Sequence, residues 1–216
     1  MEYPRAILVF MRLKLVQVGE TVLRTHAREL SRDELRGREI QQLVEYMHET
    51  LRDAPGVGLA APQVGEGIQL AIVEDLPEYS RTLTPEQLTE RERKPVPFHV
   101  IVNPAISPVG ESDVEFFEGC LSLTGYTALV PRYRSVRVDC LDEHGEPKTI
   151  HASGWYARIL QHEIDHLHGT LYIDRMVSRT FMSIENFTRV WKDASVEEVK
   201  RGLGRGGVFE EFLGNG

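Results

Sequence analysis

His162-Glu163-Ile164-Asp165-His166 decides how this chain is read. Histidines four residues apart lie about one turn apart on a helix, so both imidazoles project from one face and reach one metal ion. Glu163 follows the first histidine and is placed to take a proton from a water activated by such an ion. The flanking residues carry a helical pattern. Ser153 stands at a helix start, Ala157, Leu160, Ile164 and Leu167 recur as an apolar stripe, and Gly169 stands where the helix should stop. The expectation is a central helix with metal ligands on one face and core contacts on another.

Upstream the pattern turns to strands. Residues 69–73, 99–102 and 114–117 are strand-like, and residues 135–141 and 148–151 flank Glu143-His144-Gly145-Glu146 as a hairpin. Ser31-x-x-Glu34 is a capping box. Ile40, Leu43, Val44, Met47 and Leu51 recur at helical spacing, so residues 33–52 read as one amphipathic helix that Pro55-Gly56 ends. Residues 76–97 are charged and proline-containing, which predicts a surface insertion with a short helix around 86–93. The fold expected is α+β, with mostly antiparallel sheets around a central helix carrying the His-Glu-x-x-His motif. Residues 1–176 are expected to form a single catalytic domain. Residues 177–216 are expected to be a C-terminal extension, partly helical, with a Gly-rich mobile end after Gly202.

Composition narrows the class. A hydrophobic fraction of 41% and a charged fraction of 27% in 216 residues are those of a water-soluble globular chain. A net charge of −8 argues against a nucleic-acid surface. No apolar run approaches the roughly 20 residues of a membrane span. The apolar stretch at 6–11 is short, and Glu2, Glu20 and Glu29 suit neither a secretory signal nor a transit peptide. Met11 is an alternative start to Met1. The only cysteines, Cys120 and Cys140, form no disulfide framework, so a reducing cytoplasm is expected and a thiolate is available as a ligand.

A catalytic zinc-type site takes three protein ligands and keeps one position open. Read from spacing alone, the third ligand has several candidates. The longer pattern His-Glu-x-x-His-x-x-Gly-x-x-His is met at Gly169, but its last position is Tyr172, which speaks against it. Glu185 lies 19 residues after His166. Cys120, in Glu118-Gly119-Cys120-Leu121-Ser122, offers sulfur, although a lone cysteine is more often a small buried hydrophobe. Gly56-x-Gly58-x-x-Ala61 has the spacing of a dinucleotide fingerprint. A helix precedes it and Pro62 follows it, so the strand–turn–helix context is missing and nucleotide binding is set aside.

Three segments then stand in order: Gly56-Val57-Gly58-Leu59-Ala60-Ala61-Pro62-Gln63, Glu118-Gly119-Cys120-Leu121-Ser122 and Gln161-His162-Glu163-Ile164-Asp165-His166. Over about residues 12–176 the chain resembles peptide deformylase. The resemblance implies a metal-dependent hydrolase that removes the N-formyl group from the N-terminal formylmethionine of new polypeptides and releases formate. It implies Cys120, His162 and His166 as metal ligands and Glu163 as the acid/base. It implies Gln63 and the Leu121 N–H as oxyanion donors, and Gly58 as a backbone contact to substrate. It implies one divalent ion, Fe2+ in the cell, with Zn2+, Ni2+ or Co2+ on isolation. Formyl-Met nascent peptides near the ribosome are the expected partners, with no direct nucleic acid and no membrane, and a monomer or homodimer as the working state. The insertion at 76–97 and Ala152-Ser153-Gly154-Trp155-Tyr156-Ala157-Arg158 resemble the organellar-type branch. With no transit-peptide pattern, a bacterial, cytoplasmic member is expected. Ile159 and Trp155, on the stretch ahead of Glu163, are candidates to line an apolar pocket for the methionine side chain.

Overall fold

Helix α4 (Gly154–Leu167) contains the His-Glu-x-x-His motif and packs between two antiparallel sheets. The structure, a computed structural model, describes residues 12–81, 83–110 and 113–204. The stretch at 6–11 with the choice of start, and the tail from 205, lie outside the described residues.

The larger sheet has the order β1-β2-β3-β6-β7, formed by β1 (Gly58–Ala60), β2 (Leu70–Asp75), β3 (Val96–Pro108), β6 (Ser135–Leu141) and β7 (Pro147–Ser153). Its side chains alternate between two cores, as a pleated strand requires. Ala71, Val73, Ile101, Val136 and Val138 face the α4 stripe of Ala157, Leu160, Ile164 and Leu167. Leu70, Ile72, Val100 and Val102 face the other way, against helix α2 (Arg38–Asp53) through Val44, Met47 and Leu51. The smaller sheet, β4-β5-β8, is formed by β4 (Asp113–Cys120), β5 (Leu123–Tyr133) and β8 (Met182–Ser183). Leu123, Ala128 and Val130 pack there with Tyr172 of the short helix α5 (Tyr172–Arg175).

The single helix expected over 33–52 is two. Helix α1 (Arg32–Arg36) keeps the Ser31/Glu34 capping box, and α2 follows after Gly37. Gly37 is extended (ψ 148°) and its N–H donates to the Glu34 carbonyl. A Cβ there would lie 2.9 Å from the Glu34 oxygen, so the break needs glycine. Strand β3 is longer than 99–102, with a kink at Asn103 (φ 48°), whose amide exchanges hydrogen bonds with both polar backbone groups of Leu30 (2.9 and 2.8 Å). Strand β5 was not expected at all. Gly125 and Pro131 interrupt its sequence, and Pro131 is tolerated because past Thr127, among the described residues, β4 is the only strand paired with β5.

The insertion at 76–97 forms a 3-10 turn (Pro77–Ser80) and helix α3 (Pro85–Glu90), shorter than the expected 86–93. It is more than surface. Arg93 grips the buried Asp75 in a bidentate pair (2.8 and 2.9 Å), and the Arg91 carbonyl accepts the Trp155 N–H (2.8 Å) at the start of α4. After α5 the chain runs through β8, α6 (Ile184–Asn186) and α7 (Val196–Gly202) across the β4–β5 pair. Among the described residues no helix is long and apolar enough to cross a membrane.

Candidate active site

The turn between His162 and His166 on α4 faces Cys120 at the end of β4. The Cys120 sulfur lies 3.3 Å from His166 Nε2, and one donor atom from each of the three residues falls within 4.8 Å of the others. Tyr172 and Glu185 are not in this cluster. Tyr172 is buried with its ring stacked 6.3 Å from that of His162, and Glu185 is exposed on α6.

Glu163 lies beside the cluster, 4% exposed, with its Oε2 buried and unpartnered among the described residues. Burial pushes its carboxyl up to about 7. An orphaned carboxylate oxygen in an apolar setting is costly in a purely structural role. Gly58 on β1 makes room for it. A Cβ at Gly58 would sit 2.6 Å from Glu163 Cδ, so any side chain there would displace the carboxylate.

Gln63 sits on a 3-10 turn (Ala61–Val64) after β1 and is 1% exposed. Its Oε1 accepts the Ala60 N–H at 2.8 Å, which fixes the amide and turns the NH2 toward Cys120 Sγ (3.5 Å) and Ser122 Oγ (3.4 Å). Leu121 occupies the turn from β4 into β5. Its carbonyl accepts from Gln17 Nε2 (2.9 Å) and Thr124 Oγ1 (3.2 Å), which holds the peptide plane beside Cys120.

Behind the cluster lies a buried charged group that the sequence reading did not assign. Glu118 takes both arms of Arg132 (3.0 and 3.0 Å), Arg158 Nη1 (2.6 Å) and His162 Nδ1 (2.9 Å). Arg132 continues to Asp165 (2.5 Å), which Arg175 also grips (2.6 and 2.8 Å). Burial alone would raise the Glu118 carboxyl, but the Arg132 charge and the His162 hydrogen bond hold it far below the usual carboxylate range. The available signal was spacing: Arg158 and His162 are four apart on one helix face, and Glu118 precedes the cysteine by two.

The residues fit a metal ion. Glu118 engages His162 Nδ1 and leaves Nε2 for the cluster, the second-shell arrangement typical of ligating histidines. Burial pushes His166 well below its ordinary value, so its imidazole is neutral, the form that ligates. Burial also works to lower His162, and hydrogen bonds to Cys120 and Glu118 override it. A cation would displace the proton shared with the sulfur. One sulfur and two imidazoles beside a cavity make a three-ligand, open-sided set.

That cavity is about 650 Å³ and mostly apolar, lined by Val57, Trp155 and Ile159 as well as Gly58, Gln63, Cys120, Leu121, His162 and Glu163. Tyr79 and Arg93 of the insertion also reach it. Strands β1 and β4, each at the edge of its sheet, both border it.

An α+β fold with an open Cys/His/His cluster beside a glutamate in a cleft, its Oε2 unpartnered among the described residues, is an arrangement of the metal-dependent hydrolase class. The Polypeptide deformylase family model matches residues 12–181, and the chain belongs to that family. It is 42% identical over 172 residues to the chloroplastic peptide deformylase 1A of Solanum lycopersicum, covering 80% of this chain but only 62% of that relative's length. It is 41% identical over 192 residues to peptide deformylase 1 of Streptomyces coelicolor, covering 89% of this chain and 86% of that one. A crystal structure of the class I type b peptide deformylase from Acinetobacter baumannii with Met-Ala-Ser bound superposes with a TM-score of 0.69 at 33% identity, covering 77% of this chain and 99% of the other. Relatives thus include both organellar and bacterial enzymes.

Proposed function

We propose that this chain removes the formyl group from N-terminal formylmethionine of newly made polypeptides and releases formate. The observation that carries this is the convergence of three distant motifs on one cavity: the Cys120/His162/His166 donors, the Glu163 carboxyl, whose Oε2 has no partner among the described residues, and the oriented Gln63 amide. The relative solved with Met-Ala-Ser, the deformylated counterpart of such a substrate, supports the same reading.

In this reading Cys120, His162 and His166 hold one divalent ion. When bound, the ion supplies Lewis acidity and eases the ionisation of water at neutral pH. Glu163 takes the proton of the attacking water, and its raised affinity suits that work. Water oxygen adds to the formyl carbon, the C–N bond breaks, and Glu163 returns the proton to the departing amine. The Gln63 Nε2–H and Leu121 N–H donate to the formyl oxygen as negative charge grows on it. The Gly58 backbone meets the peptide at the β1 edge, while Trp155 and Ile159 receive the methionine side chain.

Sulfur with two imidazoles suits iron, zinc, nickel or cobalt, and we assign Fe2+ as the ion used in the cell. The substrates are nascent chains near the ribosome, the compartment is the cytoplasm, and the working state is a monomer or homodimer. Residues 1–176 are assigned as the catalytic domain and 177–216 as an extension.

The deciding experiment measures formate released from a formyl-Met tripeptide by metal-loaded protein. Release that disappears together with bound metal in Cys120→Ala, and persists with full metal content in Glu185→Ala, supports the assignment. The reverse pattern would favour a metallopeptidase with Glu185 as ligand.

A further inference from the structure

A second cavity lies apart from the catalytic one. It holds about 200 Å³ between helix α3 of the insertion, strand β4 and the chain that follows α6. Arg91, Phe116, Phe187 and Trp191 line it, and Cys120, His162 and Glu163 do not. Among the described residues, Phe117 is the one lining residue shared with the catalytic cavity.

Arg91 stands in the middle of a chain of cation–ring contacts. Arg93 lies 5.0 Å and Arg91 5.8 Å from the Trp155 ring, while Arg91 lies 5.9 Å and Arg158 5.2 Å from the Phe116 ring. The two outer arginines have acids of their own: Arg93 grips Asp75 (2.8 and 2.9 Å) and Arg158 grips Glu118 (2.6 Å). Arg91 has no carboxylate at ion-pair distance among the described residues, and its Nε is buried without a hydrogen bond. Its neighbour Glu90 is exposed and acts on it only at longer range, and Asp193, also in the lining, is exposed and faces Lys192 (3.9 Å). Burial, and then the Arg93 charge, push Arg91 below its ordinary value. An arginine stays charged in a protein, so this is a partly desolvated cation without a counter-ion. Ring faces offset only part of that cost.

We propose that this cavity is a binding site for a small carboxylate with an apolar body, its charge held by the Arg91 guanidinium and its body by Phe187 and Trp191. The guanidinium fork matches a carboxylate. One unpaired cation with Glu90 and Asp193 nearby favours a monoanion over a dianion such as phosphate. The volume is below that of drug-sized pockets, so the ligand is small. The site stands independently of the deformylase reading.

The test uses the full, metal-loaded chain at constant ionic strength and reads its two tryptophans, Trp155 against Arg91 and Trp191 in the cavity wall. Butyrate changes their fluorescence with half-saturation on the order of millimolar, whereas butyramide, its neutral counterpart of the same shape, does not. Arg91→Gln raises the half-saturating concentration by about tenfold or more. Ala194→Leu does the same by narrowing the cavity while keeping the guanidinium. Cys120→Ala, which disables the metal cluster, responds to butyrate as the parent does, so the response is not a carboxylate on the metal. No response in the parent, or an equal response to butyramide, overturns the site. So does a response kept by both Arg91→Gln and Ala194→Leu, or one lost in Cys120→Ala and kept in Arg91→Gln. Phosphate binding more tightly than butyrate overturns the carboxylate assignment.

Discussion

Helix α4 presents Ala157, Leu160, Ile164 and Leu167 to the five-stranded sheet, and Arg158, His162 and Asp165 to partners on the three-stranded one. Both faces are buried, but they do different things. Each large apolar side chain on the first face contributes about 1.5–3 kcal/mol by leaving water. On the second, the Coulombic gain of Glu118, Arg132 and Asp165 is largely offset by the cost of desolvating them. What the charged face supplies is orientation: Glu118 fixes the ring of His162, and through it one side of the metal cluster. The comparison separates stability from positioning on one helix, and substitutions should keep them apart.

The largest effect is expected at the group that neither face immobilises. Glu163→Gln removes a proton carrier while keeping its shape, so turnover should fall by about 10²–10⁴ with metal content and melting temperature retained. Turnover near that of the parent in metal-replete protein would take Glu163 out of the chemistry. Gln63→Leu comes next. Its amide is held by Ala60 and aimed at the cluster, so kcat should fall by about 10²–10³ with KM little changed. A raised KM with kcat intact would mean that Gln63 only braces the turn after Pro62.

The charged face is tested by Arg132→Met. This leaves Glu118 with Arg158 and His162, and Asp165 with Arg175. Metal affinity should weaken by about 10–100-fold, read by competition with a chelator. Stability should fall as well, by about 3–5 kcal/mol, because buried carboxylates lose a partner. Lower stability with unchanged metal affinity would make the charged group architecture alone.

The same contrast explains what could be read from the sequence. The apolar face was readable because its signal is local: four residues at helical spacing predict a stripe. The pairing of His162 with His166 on one turn was readable for the same reason, while Cys120, one of several candidates by residue type, was singled out by the resemblance. The charged face was not, because Glu118, Arg132 and Arg158 find each other across β4, β5 and α4, and the spacing of Arg158 to His162 does not by itself distinguish a buried arginine from a solvated one. Strand β5 was missed on similar grounds. Its pairing with β4 and β8 overrides a glycine and a proline that by themselves argue against a strand. The split of the first helix at Gly37 was missed because the apolar spacing continues through α2 and hides the break.

The smallest effect on turnover is expected on the apolar face. Leu160 is fully buried between α4 and the larger sheet, two residues before His162. Leu160→Ala leaves a cavity and should cost about 2–5 kcal/mol of stability, visible as a lower melting temperature. The charged partners on the opposite face are untouched, so the protein that remains folded should bind metal as before and turn over at nearly the parent rate. The measurement is kcat per bound metal at a temperature well below the new midpoint, beside a chelator titration on the same preparation. If kcat per metal instead falls as far as metal affinity does in Arg132→Met, packing on the apolar face reaches through the helix to set the site, and the two faces act as one unit.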